Sequence, residues 1–165
     1  MEDSVAPCSD SVSGEEALRQ AIELLFFAYR DFTGEADEIL ADYGFGRAHH
    51  RVVYFVGRNS GITVNQLLAI LKITKQSLSR VLSQLIEEGF VEQKTDEHDR
   101  RRRLMTLTEK GTSLEALLTE AQSRRIAGAF GESGADAIDG FRLILKNIIN
   151  EEDRERIEAF FDDEA

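Results

Sequence analysis

Seven side chains between Thr74 and Ser83 are spaced as a chemical face. Gln76, Ser79, Arg80 and Ser83 recur at i, i+3, i+4 and i+7, so an α-helix puts them on one side, with Thr74, Lys75 and Ser77 around its first turn. Gln and Arg can each make two parallel hydrogen bonds to a base edge, with adenine and guanine respectively. Short hydroxyls, an ammonium and a helix N-terminus suit phosphate oxygens. Further on, Asp99 precedes four consecutive arginines, Arg100 to Arg103. An Arg at a hairpin tip can enter a narrow A·T-rich minor groove, where the negative potential is strongest. Each feature alone has a plainer reading, a solvated helix face and a solubilising charge run.

The elements that must position these groups follow from hydrophobic periodicity. Leu78, Val81, Leu82, Leu85 and Ile86 form the apolar stripe of a helix that Thr74 caps and Gly89 ends. Thr63 and Gln66 form a capping box opening a shorter helix just before it, and Lys72-Ile73 is the tight connection. Phe90 to Lys94 and Arg103 to Thr108 read as two strands around a charged loop, a β-hairpin. Helix, turn, helix and hairpin in that order have the dimensions of a winged helix-turn-helix.

Flanking helices account for the rest. Ser13 with Glu16 opens a helix striped by Leu18, Ile22, Leu25, Tyr29 and Phe32, which Thr33-Gly34 should end. Phe26 and Phe27 widen its apolar surface, so it is expected to be buried on more than one side, with a partner subunit covering the second. A short helix is expected over 36–42 and another over 47–57. Leu114 to Phe130 stripe a long helix, Ile138 to Ile149 another, and Asn150 with Asp153 caps a last one with Ile157, Phe160 and Phe161. The expected fold is mostly α with a small β-hairpin. The organisation is a disordered tail at 1–12, N-terminal dimerisation helices at 13–45, the winged helix-turn-helix at 46–111 and C-terminal helices at 112–165.

The chain has 165 residues and a formal net charge of −11. That total argues against nucleic acid until it is divided. Residues 1–45 hold 2 basic and 11 acidic residues, 46–111 hold 12 and 7, and 112–165 hold 6 and 13. A basic middle of +5 therefore lies between flanks of −9 and −7. One Cys excludes an internal disulfide framework. No basic leader and no apolar run of about 20 residues is present, so a cytoplasmic, nucleoid-associated protein is expected, with no membrane partner. There is no glycine-rich phosphate loop, nucleophile elbow or metal-spaced motif, so no catalytic residue, metal site or cofactor is expected.

Several segments resemble the MarR family of bacterial transcriptional regulators, and within it a PetP-like branch. They are Thr63-Val64-Asn65-Gln66-Leu67-Leu68, Ser77-Leu78-Ser79-Arg80-Val81-Leu82, Leu85 to Glu92, Asp99-Arg100-Arg101, and Leu104-Met105-Thr106-Leu107-Thr108-Glu109-Lys110-Gly111. The resemblance implies a symmetric winged-helix homodimer on a pseudo-palindromic stretch of double-stranded DNA, with the helices at 112–165 as C-terminal dimerisation helices. The helix over 74–87 would lie in the major groove. Arg101 would enter the minor groove with Asp99 holding it, and Arg100 and Arg103 are DNA-binding candidates beside it. Arg102 and Arg103 depart from the small or apolar residues usual there, and either add phosphate contacts or are simply tolerated.

The resemblance also implies a small phenolic or carboxylate effector. Phe26, Phe27, Tyr29, Tyr43 and His50 are the residues that would meet it, against the plainer reading of core packing. Cys8 lies in the expected tail without a basic neighbour to activate it. His49 and His50 point about 100° apart on a helix and would not share a metal ion. The competing function is a winged-helix module for protein–protein contacts, for which the basic face would be superfluous.

Overall fold

The computed structural model describes residues 14–97, 99–154 and 157. The expected tail, Cys8, Ser13, His98, Phe160 and Phe161 lie outside the described residues. The chain forms helices α1 (Glu15–Ala41), α2 (Arg47–Arg58), α3 (Val64–Leu71), α4 (Lys75–Glu87), α5 (Glu109–Gly131) and α6 (Ala135–Ile148), and strands β1 (Ile62–Thr63), β2 (Val91–Thr95) and β3 (Arg103–Leu107). Two compact units divide between Ser123 and Arg124, within α5. Among the described residues no helix is long and apolar enough to cross a membrane.

In the first unit, α1 runs without a break through Gly34, where the sequence predicts an end and a second short helix. An interior glycine costs about 1 kcal/mol relative to alanine. Burying Ala36 and Leu40 beyond it gains more than that, since a fully buried Leu is worth about 1.5–3 kcal/mol. The Thr33 hydroxyl also donates back to the carbonyls of Tyr29 (3.0 Å) and Arg30 (3.2 Å), within the helix rather than against it.

The sheet has three strands in the order β1-β3-β2, all antiparallel, where the sequence predicts only a hairpin. Ile62 faces Met105 and Thr63 faces Leu104, while Val91 faces Leu107 and Thr95 faces Arg103. Two residues are too few to show an alternating pattern, so β1 was invisible beside the helix cap that Thr63 also forms. The core gathers Leu40, Val52, Val53, Val56, Leu67, Leu78, Leu85, Phe90, Met105 and Leu118, all at or near zero exposure.

Thr108 and Gly111 turn the chain from β3 into α5. The Thr108 N–H donates to the Phe90 carbonyl (3.1 Å), and its hydroxyl donates to that of Gly89 (2.6 Å). The Gly111 N–H donates to the same hydroxyl at 3.0 Å. A Cβ on Gly111 would stand 2.0 Å from the Phe90 carbonyl oxygen, so only glycine lets α5 cross here.

In the second unit, Gly134 opens α6 by accepting from the N–H groups of Ala137 and Ile138. The Phe130 and Phe141 rings meet edge to face at 6.0 Å. Of the expected stripe, Ile138, Leu145 and Ile149 are half-buried, while Phe141 and Ile148 are exposed. The Arg154 guanidinium donates to the carbonyls of Asn147 and Ile149, closing the end of α6.

These placements give opposite expectations for two glycines. Gly111→Ala should destabilise the protein by at least about 2 kcal/mol, because the backbone itself must move. Gly34→Ala has nothing within 4 Å of its new Cβ and should stabilise α1 by about 0.5–1 kcal/mol. Urea titrations of both variants at one protein concentration check the pair.

Candidate nucleic-acid interface

Two caps fix the helix-turn-helix. The Thr63 hydroxyl accepts from the Gln66 N–H (3.3 Å), and the Gln66 side-chain oxygen accepts from the Thr63 N–H (2.9 Å). Thr63 is also the β1 residue opposite Leu104, so one residue ties α3 to the wing strand. The turn passes through Lys72 at φ 49° and ψ 40°, a left-handed conformation usually given to glycine. Thr74 then caps α4, accepting from the Ser77 N–H at 3.1 Å and donating to the Ser77 hydroxyl at 2.9 Å. That leaves the Ser77 hydroxyl proton available to an acceptor outside the helix.

Leu78, Val81, Leu82 and Leu85 of α4 are buried as their spacing predicts. Thr74, Lys75, Gln76, Ser77, Ser79, Arg80 and Ser83 are all exposed. Gly89, at φ 76°, ends the helix, with the Phe90 N–H donating to the Leu85 carbonyl at 2.8 Å. Lys110 of α5 donates to the Glu88 carbonyl (2.8 Å) and lies 4.0 Å from the Phe90 ring centre, a cation–π contact that pins this end.

The wing is internally braced. The Asp96 N–H donates to the Arg102 carbonyl (3.1 Å) and the Arg102 N–H to the Asp99 carbonyl (2.9 Å). The Arg102 guanidinium pairs with Asp96 at 3.7 Å, and Arg103 donates to the Thr95 hydroxyl. On β2, the Lys94 ammonium and the Thr106 hydroxyl hold the Glu92 carboxyl below the usual carboxylate range. Asp99 accepts from the Arg101 N–H at 3.0 Å, where the resemblance implied a grip on its side chain. An aspartate reaches the amide two residues on without extending a chain, the usual Asx turn. Arg100 and Arg101 stay exposed at the tip, and among the described residues their guanidinium groups have no partner. Arg80 on α4 is in the same state.

The five residues considered for an effector do not converge. The Phe26 and Phe27 rings meet at 5.4 Å on exposed α1, with the Arg30 guanidinium 4.9 Å from the Phe27 centre. Tyr29 accepts from Arg51 at 3.1 Å and lies under the Arg47 guanidinium, which also forks onto Asp37 (2.8 and 2.9 Å). Tyr43 packs on Phe45 (6.0 Å) and Phe90 (5.6 Å). His50 is half-buried, and burial pushes its pKa down with help from Arg51, against the opposing charges of Asp37 and Glu115.

One contact has no signal in the sequence. His49 on α2 bonds Gln84 on α4 at 2.8 Å, across 35 positions. Only residue types at a matching depth would have hinted at it. Arg47 with Asp37 was legible in principle, as an opposite-charge pair across the α1–α2 loop.

Helix, turn, helix and a three-stranded wing define a winged helix-turn-helix protein. The MarR family model matches residues 43–102. The HTH-type transcriptional regulator PetP of Rhodobacter capsulatus is 44% identical over 152 residues, 91% of this chain and 92% of that one. Among solved structures, Streptococcus pneumoniae FabT in complex with DNA superposes with TM-score 0.71 at 17% identity, covering 90% of this chain and 99% of that one. A Listeria monocytogenes MarR-family regulator complexed with a 26mer DNA gives 0.67 at 20% identity, covering 77% and 85%. The chain belongs to the MarR family.

The lowered His50 pKa has a consequence for stability. A base that protonates less readily when folded stabilises the fold above its ordinary value of about 6.5, and that contribution is lost as pH falls below it. Acidification from about pH 7.5 to about pH 5.5 should lower the melting temperature, and His50→Gln should reduce the fall. Equal falls in the two proteins would refute the assignment.

Proposed function

We propose that this chain is a transcriptional regulator that binds operator DNA as a homodimer, with α4 in the major groove and the β2–β3 tip in the minor groove. The observation that supports it best is a set of exposed donors without partners among the described residues: Gln76 and Arg80 on α4, Arg100 and Arg101 on the wing. In this reading Arg80 and Gln76 meet base edges. Thr74, Lys75, Ser77, Ser79 and Ser83 meet phosphates around them. Arg101 enters the minor groove, Asp99 sets its backbone, and Arg100 and Arg103 reach the flanking phosphates. The relatives support the partner, since two superposing proteins hold DNA in their structures.

The homodimer rests on α1. Leu18, Ile22, Leu25 and Tyr29, at spacings of 4, 3 and 4, are 57, 69, 48 and 44% exposed. A contiguous apolar stripe of this kind is rare on a monomer. In a two-fold dimer the recognition helices address half-sites about one DNA turn, roughly 34 Å, apart. The same reading makes the protein a regulator without enzymatic activity, working in the cytoplasm on the nucleoid. A small phenolic or carboxylate effector would act near Tyr29 and His50, where α1 meets α2, with Phe26, Phe27 and Tyr43 outside that point.

Fluorescence polarisation against the DNA upstream of its own gene tests the reading. Binding should weaken steeply with salt. Arg80→Ala should cost about 1–3 kcal/mol at one operator position, and Arg101→Ala should flatten the log–log salt slope by about 1. Leu25→Asp should give a folded monomer by light scattering. Binding unaffected by salt or by the two arginine changes would favour the protein–protein module instead.

A further inference from the structure

His49 joins the loop before α2 to the reading helix through a one-way chain of hydrogen bonds. The Gly46 N–H donates to its Nδ1 at 3.2 Å, which leaves the ring proton on Nε2. Nε2–H donates to the Gln84 side-chain oxygen at 2.8 Å, and the Gln84 amide donates to Glu88 at 2.9 Å. The ring lies flat on Phe45, 4.7 Å between centres and 6° between planes. Phe45 in turn meets the buried Phe90 ring at 5.1 Å. Gln84 follows Arg80 by one helical turn and is the neighbour of Ser83, so the chain fixes α4 beside its exposed donors.

We propose that His49 is a positioning residue for α4, and that its neutral imidazole makes DNA binding acid-sensitive. The proposal rests on the reading of α4 as the DNA-reading helix. Protonated imidazole has two donors and no acceptor. Its Nδ1–H would face the Gly46 N–H, and a cation would sit at the N-terminus of α2, where the helix dipole disfavours it. Other ionisable groups border the chain. Glu88, which caps the C-terminus of α4, favours the cation but reaches it only through Gln84. Lys110 of α5, bound to the Glu88 carbonyl, disfavours it. Tyr43 of the α1–α2 loop stacks on Phe45, and Arg47, two residues away on α2, is held by Asp37. The sign separates this from plain electrostatics, because a cation gained near DNA would otherwise strengthen binding as pH falls.

The experiment is a polarisation titration of the full chain against the duplex from upstream of its own gene, at constant ionic strength, between about pH 7.5 and about pH 5.5. Wild-type affinity should fall roughly fivefold on acidification, the worth of about one net hydrogen bond. His49→Asn keeps an acceptor for the Gly46 N–H and cannot ionise. It should bind roughly fivefold more weakly than wild type at about pH 7.5 and show no further fall. Gln84→Leu cuts the chain at its other end and should also lose the pH response. Without DNA, the Gly46 amide resonance and the Gln84 side-chain amide resonances should shift together over the same pH interval, and stay still in His49→Asn. A wild-type affinity that is flat or rises on acidification overturns the proposal, as does an intact fall in His49→Asn or wild-type amide resonances that do not shift. Absence of salt-sensitive binding at about pH 7.5 is a separate result, and overturns the DNA reading itself.

Discussion

Phe90 is the residue on which the reading unit converges. Its N–H closes the end of α4, and its carbonyl accepts the first N–H of the turn into α5. Its ring, fully buried, meets Phe45 and Tyr43 from the α1–α2 loop and Lys110 from α5. The space around its carbonyl is so close that position 111 admits no side chain. Aromatic burial and a saturated carbonyl thus hold α4, the wing and α5 at one point. The Thr-to-Gly spacing of 108 and 111 is the sequence's imprint of that crossing.

From that node the functional surface follows by subtraction. The buried side of α4 is spent on the core, and two wing charges are spent on opposite charges beside them: Arg102 on Asp96 and Lys94 on Glu92. Exposed ion pairs of this kind add little stability. Here they define the wing's shape and leave the tip arginines for another partner. The net charge of −11 acquires a meaning in the same way. Acidic residues outside the +5 segment repel a polyanion at long range, which favours a specific site over DNA in general.

Much of this was legible because its causes are local. The Thr63–Gln66 box, the Thr74 cap and the Gly89 end each follow from a residue within four positions of the backbone it serves. The burial of α4 followed its spacing for the same reason. Gly34 misled because helix propensity is a small local term, and the burial of Ala36 and Leu40 outweighs it. Strand β1 escaped because pairing with β3, 43 residues away at Ile62 and Met105, makes it a strand. The effector candidates shared an aromatic character and no location, and residue type alone cannot tell a lining from a packing contact.

The sequence by itself determined the elements, their caps, the amphipathic face of α4 and the segregation of charge, because periodicity and capping act over a few residues. Only the tertiary structure decided that β1 pairs with β3, that Lys110 reaches the Glu88 carbonyl, and that His49 meets Gln84. Those outcomes depend on distances between residues far apart in the chain, and such distances exist only once Phe90 and the core around it have closed.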